Sequence, residues 1–288
     1  MLFLLLALSI LTASLYSIVL HKVNFREGNS VFLFNLTTSV VWFCLLFVVN
    51  GCKLHIDGNS LLWGAIYGVT QALFILFKAK AMNEGNVSLT TLIGNCSLII
   101  SVFACLVLWN EAVSSADIVG LAVLMLAMFL TMYKKSNFCL TKKWLFYTFF
   151  FLLFGAAVGL VFKAFSKSGS EYAADMMVIA SAVMIMAYAT ICIINGDFKK
   201  NLPTLVRNRF KTFVITALAA GVLSCAYNRL NIYLSGELIS AVFFPCFNGG
   251  VVVLSTLLGV VLLREKLNAM QFVGIALGII GICIIGIL

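Results

Sequence analysis

The chain has 288 residues, of which 63% are hydrophobic and 10% are charged, and its mean hydropathy is +1.13. Soluble domains contain about 45–50% apolar and about 25% charged residues, so the composition excludes a soluble or disordered protein and predicts an integral membrane protein. The net charge of +9 lies mostly in short breaks between apolar stretches. This placement is typical of membrane orientation and argues against nucleic-acid binding.

Ten apolar stretches fill nearly the whole chain, and each is close to the roughly 20 helical residues that cross a bilayer. The first stretch has neither a basic segment before it nor a small-residue cleavage site, so we expect a retained helix rather than a signal peptide. The fold class predicted is an all-α integral membrane protein with the lipid bilayer as its surroundings. In chain order, the predicted spans are 2–20, 30–49, 60–82, 87–108, 116–133, 144–165, 173–194, 211–233, 238–263 and 269–287.

The nine cysteines are scattered along the chain, mostly within apolar spans, and no two are spaced as a CxxC pair. We expect them to be small buried hydrophobic residues rather than disulfides or metal ligands. The sequence therefore indicates neither a metal site nor a cofactor.

Two parts of the sequence align when the chain is shifted by 154 residues: in each, a long span ends in glutamate and a glycine-containing span follows. The lysine-rich break 134–143 lies between them, which predicts a duplication with halves 1–138 and 139–288. Each half holds five spans, and an odd number makes the halves enter the membrane in opposite directions. We therefore expect ten transmembrane helices as two inverted five-helix repeats in one membrane domain. The identical pairs are Ser101 and Ser255, Glu111 and Glu265, Val119 and Val273, Gly120 and Gly274, and Ala122 and Ala276.

Basic residues are distributed unevenly between the two sets of breaks. Counted together with the adjoining span ends, the breaks after spans 1, 3, 5, 7 and 9 hold 15 lysines and arginines, whereas those after spans 2, 4, 6 and 8 hold 4. The positive-inside rule then predicts that both termini lie outside the cell.

Polar and aromatic side chains recur at helical spacing within five spans. Polar groups in hydrocarbon face other helices or a wet cavity, so stripes on several helices predict a shared aqueous cavity. The alternative interpretation is hydrogen bonding between packed helices. The stripe residues are Asn35, Thr38 and Trp42 in span 2; Tyr67, Gln71, Phe74 and Lys78 in span 3; Ser88, Thr91 and Asn95 in span 4; Ser224, Tyr227, Asn228 and Asn231 in span 8; and Phe244 and Asn248 in span 9.

Four cations, Lys22, Lys78, Lys163 and Arg229, lie near span ends, where long side chains snorkel to the interface. The alternative is that Lys78 or Arg229 points inward and attracts a carboxylate or phosphate. No aspartate or glutamate lies in the middle of a span. This distribution argues against a polycation exporter and weakens the case for proton coupling.

Small residues and a proline mark expected close contacts and a bend. Three Gly-x3-Gly pairs each place two glycines on one helix face, for which we expect packing within the chain, with dimerisation through the last span as the alternative. Pro245 should kink span 9 beside Asn248 because it lacks a backbone N–H. The glycine pairs are Gly64 and Gly68, Gly155 and Gly159, and Gly274 and Gly278.

The chain resembles the drug/metabolite transporter superfamily, specifically its ten-helix EamA type. The two blocks in which a span ends in glutamate before a glycine span, 106–120 and 262–274, carry the resemblance together with Pro245. The sequence departs from the family pattern at Ile93-Gly94-Asn95, where the first half lacks the corresponding proline, and at Asn35, in place of a common arginine. Members are commonly drawn with cytoplasmic termini, against the charge count, so the orientation stays open.

The resemblance implies a secondary carrier of the cell membrane that works by alternating access. Its central cavity should be lined by the helices of predicted spans 1, 3, 4, 6, 8 and 9. We expect a small polar metabolite as substrate, such as an amino acid or another organic acid. We expect no enzymatic activity, and a monomer or homodimer. The residues predicted to bind substrate are Gln71, Lys78, Asn95, Tyr227, Asn228, Arg229 and Asn248.

Two other classes of protein compete with a carrier. A membrane-embedded enzyme acting on lipid-linked substrates would need clustered Asp, His or Arg, whereas His21 and His55 stand alone in the sequence. A channel or a structural membrane subunit is the other alternative. Saturable transport with counterflow would distinguish a carrier from a channel.

Overall fold

The computed structural model describes residues 1–22, 30–85, 87–132, 141–169, 172–208, 210–264 and 267–287. All regular elements in these ranges are helices. The predicted junction at 138/139 and the side chains of Lys22, Ser88 and Glu265 lie outside the description. The helices are α1 (Leu2–Lys22), α2 (Val31–Val49), α3 (Gly58–Glu84), α4 (Val87–Asn95), α5 (Ser97–Trp109), α6 (Ser115–Met132), α7 (Lys142–Lys167), α8 (Ala173–Asn195), α9 (Asp197–Asn208), α10 (Phe210–Glu237), α11 (Ser240–Leu263) and α12 (Ala269–Ile287).

The helices confirm the expectation of a multi-pass helical membrane protein. Within the described ranges, nine segments are long and apolar enough to cross a bilayer, with α4 and α5 together forming one of them. A further, shorter apolar helix, Ala269–Ile285, lies in α12. Large apolar side chains such as Leu4, Val49 and Ile194 are exposed on the outside of the bundle, as a lipid-facing surface requires.

Polar residues at the helix ends explain where several helices begin. Ser30, Asp57 and Thr141 each accept a hydrogen bond from the backbone amide three residues further on, which satisfies one of the unpaired N–H groups of a first turn. At the start of α6, Ser114 and Asp117 do the same for each other's backbone amides.

Contacts between helix ends place the connections at two faces of the bundle. Asn50 donates to Asp175 at 2.7 Å, which joins the end of α2 to the start of α8. At the opposite face, Ser30 donates to Asp197 at 2.6 Å, which joins the start of α2 to the end of α8. We call the first of these the terminal face, because α1 begins there, and the second the basic face. The basic face carries most of the cations that the structure describes, including the exposed Lys142, Lys143, Lys199, Lys200 and Lys211.

The fourth and ninth predicted spans differ in continuity. The fourth is interrupted at Cys96, between α4 and α5, where Gly94 and Asn95 precede the break. In the ninth, α11 runs from Ser240 to Leu263 through Pro245 as one helix. The interruption therefore falls on the span without proline.

Glycines allow neighbouring helices to approach closely, as expected for packing within the chain. A Cβ atom on Gly64 would lie 2.7 Å from the carbonyl oxygen of Met176, and one on Gly68 would lie 2.7 Å from that of Ala180, both in α8. Gly274 similarly faces α6, where Ala127 O would lie 2.9 Å from an added Cβ. These contacts are typical of helix association in lipid, which depends on packing rather than on the hydrophobic effect.

Replacing Gly68 by alanine is expected to lower the free energy of unfolding by about 1–3 kcal/mol, because the new methyl group meets backbone atoms of α8. The measurement is thermal unfolding of the purified protein in detergent. Gly58→Ala is the matched control, because nothing lies within 4 Å of a Cβ at Gly58. Equal unfolding temperatures for the two variants would contradict this account of the α3–α8 contact.

Candidate functional site

A cavity of about 220 Å³ lies between α3, α4, α5, α7, α10 and α11. These helices come from widely separated parts of the sequence, so only the folded bundle forms this space. Void volumes of about 150 Å³ in protein cores hold a benzene molecule, so this one is large enough for a small metabolite. The residues that line it are Tyr67, Gln71, Phe74, Lys78, Thr91, Gly94, Asn95, Ser97, Leu98, Ser101, Phe151, Gly155, Val158, Gly159, Phe162, Tyr227, Asn228, Asn231, Phe243, Phe244, Phe247 and Asn248.

Six of the seven residues predicted to bind substrate line this cavity, and their role in binding stays a prediction. Arg229 is the exception: it lines neither described cavity, and its side chain is exposed. Successive helical residues point about 100° apart, so Asn228 faces the cavity while Arg229 turns outward. The six are Gln71, Lys78, Asn95, Tyr227, Asn228 and Asn248.

Hydrogen bonds between helices occupy part of the predicted polar surface. The Tyr67 hydroxyl donates to Asn228 Oδ1 at 3.1 Å, and Ser9 donates to Asn231 Oδ1 at 2.6 Å. The Trp42 indole donates to Ser224 Oγ at 2.6 Å. For these residues, the structure contains hydrogen bonds between packed helices, as the alternative interpretation predicted.

Other polar groups keep hydrogen-bonding capacity towards the cavity. The side-chain nitrogen of Asn248 donates to Phe244 O at 2.9 Å on its own helix, and that of Asn95 contacts Met132 Sδ at 3.1 Å. Each amide group has a second N–H and a carbonyl oxygen beyond these contacts. Asparagine amides therefore remain able to bind a polar molecule in the cavity.

Aromatic rings form much of the remaining wall. Tyr67 stacks on Phe162 with ring centroids 4.9 Å apart, and Phe74 packs against Phe151 at 5.0 Å. Such pairs present flat apolar surfaces that suit the hydrocarbon or ring portion of a ligand.

Lys78 introduces a positive charge into this largely neutral wall. Its ammonium nitrogen lies 6.0 Å from the centroid of the Phe74 ring, one helical turn away on α3. Its side chain is partly buried, and among the described residues no carboxylate lies within ion-pair distance of it. The structure thus places this lysine in the cavity wall, as the inward alternative predicted.

A second, smaller cavity of about 30 Å³ adjoins the first between α1, α2, α3, α8 and α10. It has room for about two water molecules. Gln71, Tyr227 and Asn228 line both spaces and so form the partition between them. The polar stripe of span 2 contributes to this second space rather than to the first, through Asn35, Thr38 and Trp42.

The residues that line the main cavity extend from near the terminal face towards the basic face. Phe243 lies three residues after α11 begins at the terminal face, and Lys78 lies six residues before α3 ends at the basic face. At a rise of about 1.5 Å per residue, Lys78 is therefore roughly 9 Å along the helix from the basic face. The lysine marks the basic end of the cavity, and Phe243 marks the terminal end.

An ion pair lies beside the terminal end of the cavity. Glu111, just after α5, accepts from Lys163 of α7 at 2.5 Å, and both side chains are largely buried, with 11% and 2% exposed. Glu111 also accepts the backbone N–H of Ser240 at 2.8 Å, and Lys163 donates to Leu238 O at 3.0 Å. We call these four groups the terminal latch, because they join the α5–α6 connection, the end of α7 and the α10–α11 turn.

The latch corrects the expectation that Lys163 snorkels to the interface. Its side chain points into the bundle, where a carboxylate and a carbonyl oxygen accept its hydrogen bonds. The acidic partner also occupies the start of α11, where the unpaired N–H groups and the helix dipole stabilise a negative charge. A buried lysine is retained here because its charge is paired.

The carboxyl group of Glu111 lies outside the membrane-spanning helices, and its pKa reflects two opposing effects. Burial alone raises the pKa of this group. Hydrogen bonds from Lys163 and from Ser240 favour the charged form and outweigh burial, so the pKa ends below its ordinary value. The latch therefore contains an ionised glutamate at neutral pH.

Spans 4 and 6, which correspond to α4–α5 and α7, were expected to line the cavity, but sequence reasoning did not identify the site residues that α5 and α7 contribute. Ser97 and Ser101 line it from α5, and Phe151 and Phe162 line it from α7. The available signal was small-residue spacing: Gly94, Ser97 and Ser101 follow one another at intervals of three and four residues, which places them on one helix face.

Comparisons with known proteins identify the fold and leave the family open. No protein-family model matches this chain, and no curated protein sequence does. Another protein, known from its crystal structure, is similar over 99% of this chain and 97% of its own, with a TM-score of 0.77 and 14% sequence identity. At that identity the similarity shows a shared fold.

Proposed function

We propose that this protein is a secondary carrier of the drug/metabolite transporter type, which moves a small polar metabolite, such as an amino acid or another organic acid, across the cell membrane by alternating access. The observation that carries the proposal is the central cavity, a metabolite-sized space lined by neutral polar groups, aromatic rings and one lysine, with a latch at one end. A site inside the bundle that is closed at one face and can open to either is what a carrier requires.

The packing of α6 against α12 supports two inverted five-helix repeats. An added Cβ on Gly120 would meet Ile285, and one on Gly274 would meet Thr131. Under the shift of 154 residues, Gly120 corresponds to Gly274 and Thr131 to Ile285, so the two contacts are equivalent. A pseudo-twofold axis between the helices would produce this reciprocity.

The ends of α5 and α11 provide a second, independent indication of duplication. α5 is followed by Asn110 with φ 54°, and α11 by Arg264 with φ 57°, both in the left-handed region that residues other than glycine rarely adopt. The two residues correspond under the same shift. Similar helix ends at equivalent positions support halves 1–138 and 139–288.

The terminal latch supports one step of alternating access, the closing of the cavity towards the terminal face. It joins α5, from the first proposed half, to α7 and α11, from the second, beside the apolar cluster that contains Phe243 and Phe244. Opening the cavity to the terminal face would separate these helices and break the ion pair. In this proposal, the intact latch belongs to the state of the carrier that is closed towards that face.

Counterflow in proteoliposomes tests the proposal. Vesicles that contain the purified protein and a high internal concentration of an unlabelled organic acid or amino acid should take up the labelled compound transiently above equilibrium. Empty vesicles, and vesicles with an unrelated membrane protein, provide the controls. A flux that does not saturate and shows no counterflow would favour a channel, and absence of flux across amino acids, organic acids and nucleosides would refute the proposal.

The orientation of the carrier is a proposal that follows from charge. The face that carries most of the basic residues should lie in the cytoplasm, with both termini outside. A terminal tag that reacts with an impermeant reagent on intact cells would support this orientation. Reaction only after permeabilisation would support the cytoplasmic termini that the resemblance implies.

A further inference from the structure

We infer that the substrate is an organic monoanion that has no ammonium group, and that its acidic group binds beside Lys78. The inference deepens the proposed function and rests on it, because it chooses organic acids over amino acids. Two observations support it: the net charge of the side chains that line the cavity, and the positions of Gln71 and Lys78 along α3.

Lys78 is the charged member of the described residues that line the cavity; the others are neutral amides, hydroxyls, aromatic rings and apolar groups. The contrast with Lys163 is informative, because that lysine has a carboxylate within 2.5 Å. Lys78 has the face of Phe74 at 6.0 Å instead. A lysine in a low-dielectric space without a carboxylate leaves a positive charge for a ligand to compensate.

The net charge of Lys78 together with a bound substrate distinguishes a monoanion from an amino acid. A monoanion brings the sum of its charge and that of Lys78 to zero. An amino acid zwitterion leaves the sum at one positive charge, and its ammonium finds no described carboxylate in the cavity wall. Because uncompensated charge is costly away from water, the cavity favours the monoanion.

The positions of Gln71 and Lys78 along α3 predict the orientation of the bound molecule. Gln71 and Lys78 lie two helical turns apart on one face, about 10.5 Å along the axis. Gln71 has no hydrogen-bond partner among the described residues, and it faces the partition with Asn228. The acidic group therefore lies towards the basic face and a neutral polar group towards Gln71, with the body of the molecule against the aromatic wall that Phe74 and Phe151 form.

Aromatic walls also attract cations, so an organic cation is the rival ligand. Two observations argue against it. The face of Phe74 already has the ammonium of Lys78 over it, and a second positive charge in the same space would be repelled by the first. Binding of phenethylamine, an organic cation with an aromatic ring, tests this rival directly.

The test compares four probes that share one body and differ in charge: 3-phenylpropanoate, phenylalanine, phenethylamine and 3-phenylpropanol. Thermal unfolding of the purified full-length protein is measured at matched probe concentrations, since a ligand that binds the folded state raises the unfolding temperature. We expect a saturable increase with 3-phenylpropanoate, and apparent affinities at least tenfold weaker for the other three. This comparison uses the unmodified protein and needs no variant to fold.

Variants then assign the effect to the lysine. Lys78→Gln should abolish the increase caused by 3-phenylpropanoate, and Lys78→Arg should retain it in part. Lys80→Gln is the matched control, because Lys80 is exposed and its ammonium lies over Tyr147, outside the cavity.

Each other outcome overturns the inference. Equal or stronger binding of phenylalanine would indicate that amino acids are the substrates. Binding of phenethylamine alone would indicate a cation site. Three further results would show that the charge of Lys78 does not determine binding. They are equal binding of 3-phenylpropanol, an unchanged response in Lys78→Gln, and no response to any probe. Counterflow of another metabolite would still support a carrier in each of these cases, so the two proposals fail separately.

Discussion

Replacing Lys163 by methionine is expected to lower the free energy of unfolding by about 3–5 kcal/mol. The substitution keeps the apolar length of the side chain but leaves Glu111 as a largely buried carboxylate without its cation. The Leu238 carbonyl also loses the hydrogen bond that Lys163 donates at 3.0 Å. Thermal or denaturant unfolding in detergent measures the loss. Lys167→Met is the matched control, because Lys167 lies one turn further along α7 with an exposed side chain.

The double variant Lys163→Met with Glu111→Gln distinguishes a broken pair from a general loss of packing. Removing both charges eliminates the uncompensated carboxylate, so most of the stability should return. The amide oxygen of the introduced glutamine would still accept the Ser240 N–H, which Glu111 accepts at 2.8 Å in the present structure. If Lys163→Met unfolds at the same temperature as Lys167→Met, the latch does not stabilise this state.

Acid should weaken the terminal latch. The pKa of the Glu111 carboxyl is lower in the folded protein than in the unfolded chain. Its contribution to stability is therefore complete above the ordinary value of about 4.3 and is lost as the pH falls below that value through the lowered pKa. The unfolding temperature of the unmodified protein should fall more steeply in this range than that of Glu111→Gln. Parallel curves would show that other carboxyl groups account for the acid dependence.

The membrane-spanning helices were predictable from sequence because the signal is local. Each span needs only enough consecutive apolar residues to cross the hydrocarbon, and the predicted segments coincide with the helices within a few residues. The polar stripes of spans 3, 4, 8 and 9 were predictable for the same reason: a helix fixes which residues share a face. Six candidate residues could thus be placed on faces that meet at one cavity.

The partners of the charged residues were not predictable in this way. Lys78, Lys163 and Arg229 all lie near helix ends in a similar apolar context, yet one lines the cavity, one is buried in an ion pair and one is exposed. The difference depends on which helix packs opposite each residue. Glu111 and Lys163 are 52 positions apart, as their numbers show, and no local pattern connects them.

The helix interruption shows a related limit. Sequence drew attention to Pro245, because a missing N–H is a local property of one residue. The break at Cys96 follows Gly94 and Asn95, two residues with low helix propensity that line the cavity. Lipid offers no partners for free backbone groups, and at the break they stay paired: Cys96 N–H donates to Ile93 O, and Ile99 N–H donates to Cys96 O, both at 3.0 Å. Sequence could not show that this break lies beside a polar cavity, because the cavity is formed by helices from distant parts of the chain.

Net transport of a monoanion is expected to depend strongly on membrane potential, whereas exchange of the same anion for itself should not. When the substrate is bound, the charge of Lys78 is compensated, so the loaded site changes access as a neutral complex. The empty site carries one positive charge when it returns. Moving a unit charge through the whole field changes the energy by about 2.3 kcal/mol per 100 mV, which limits the effect on the return step to about fiftyfold.

Proteoliposomes with a potassium gradient and valinomycin allow both fluxes to be measured at a set potential. Net flux should increase when the potential is negative on the side to which the empty site returns, because the positive lysine is attracted there. Lys80→Gln should keep this dependence, since Lys80 lies outside the cavity. Exchange that varies with potential as strongly as net flux would mean that the loaded site still carries a charge, and Lys78 would then not be the partner of the anion.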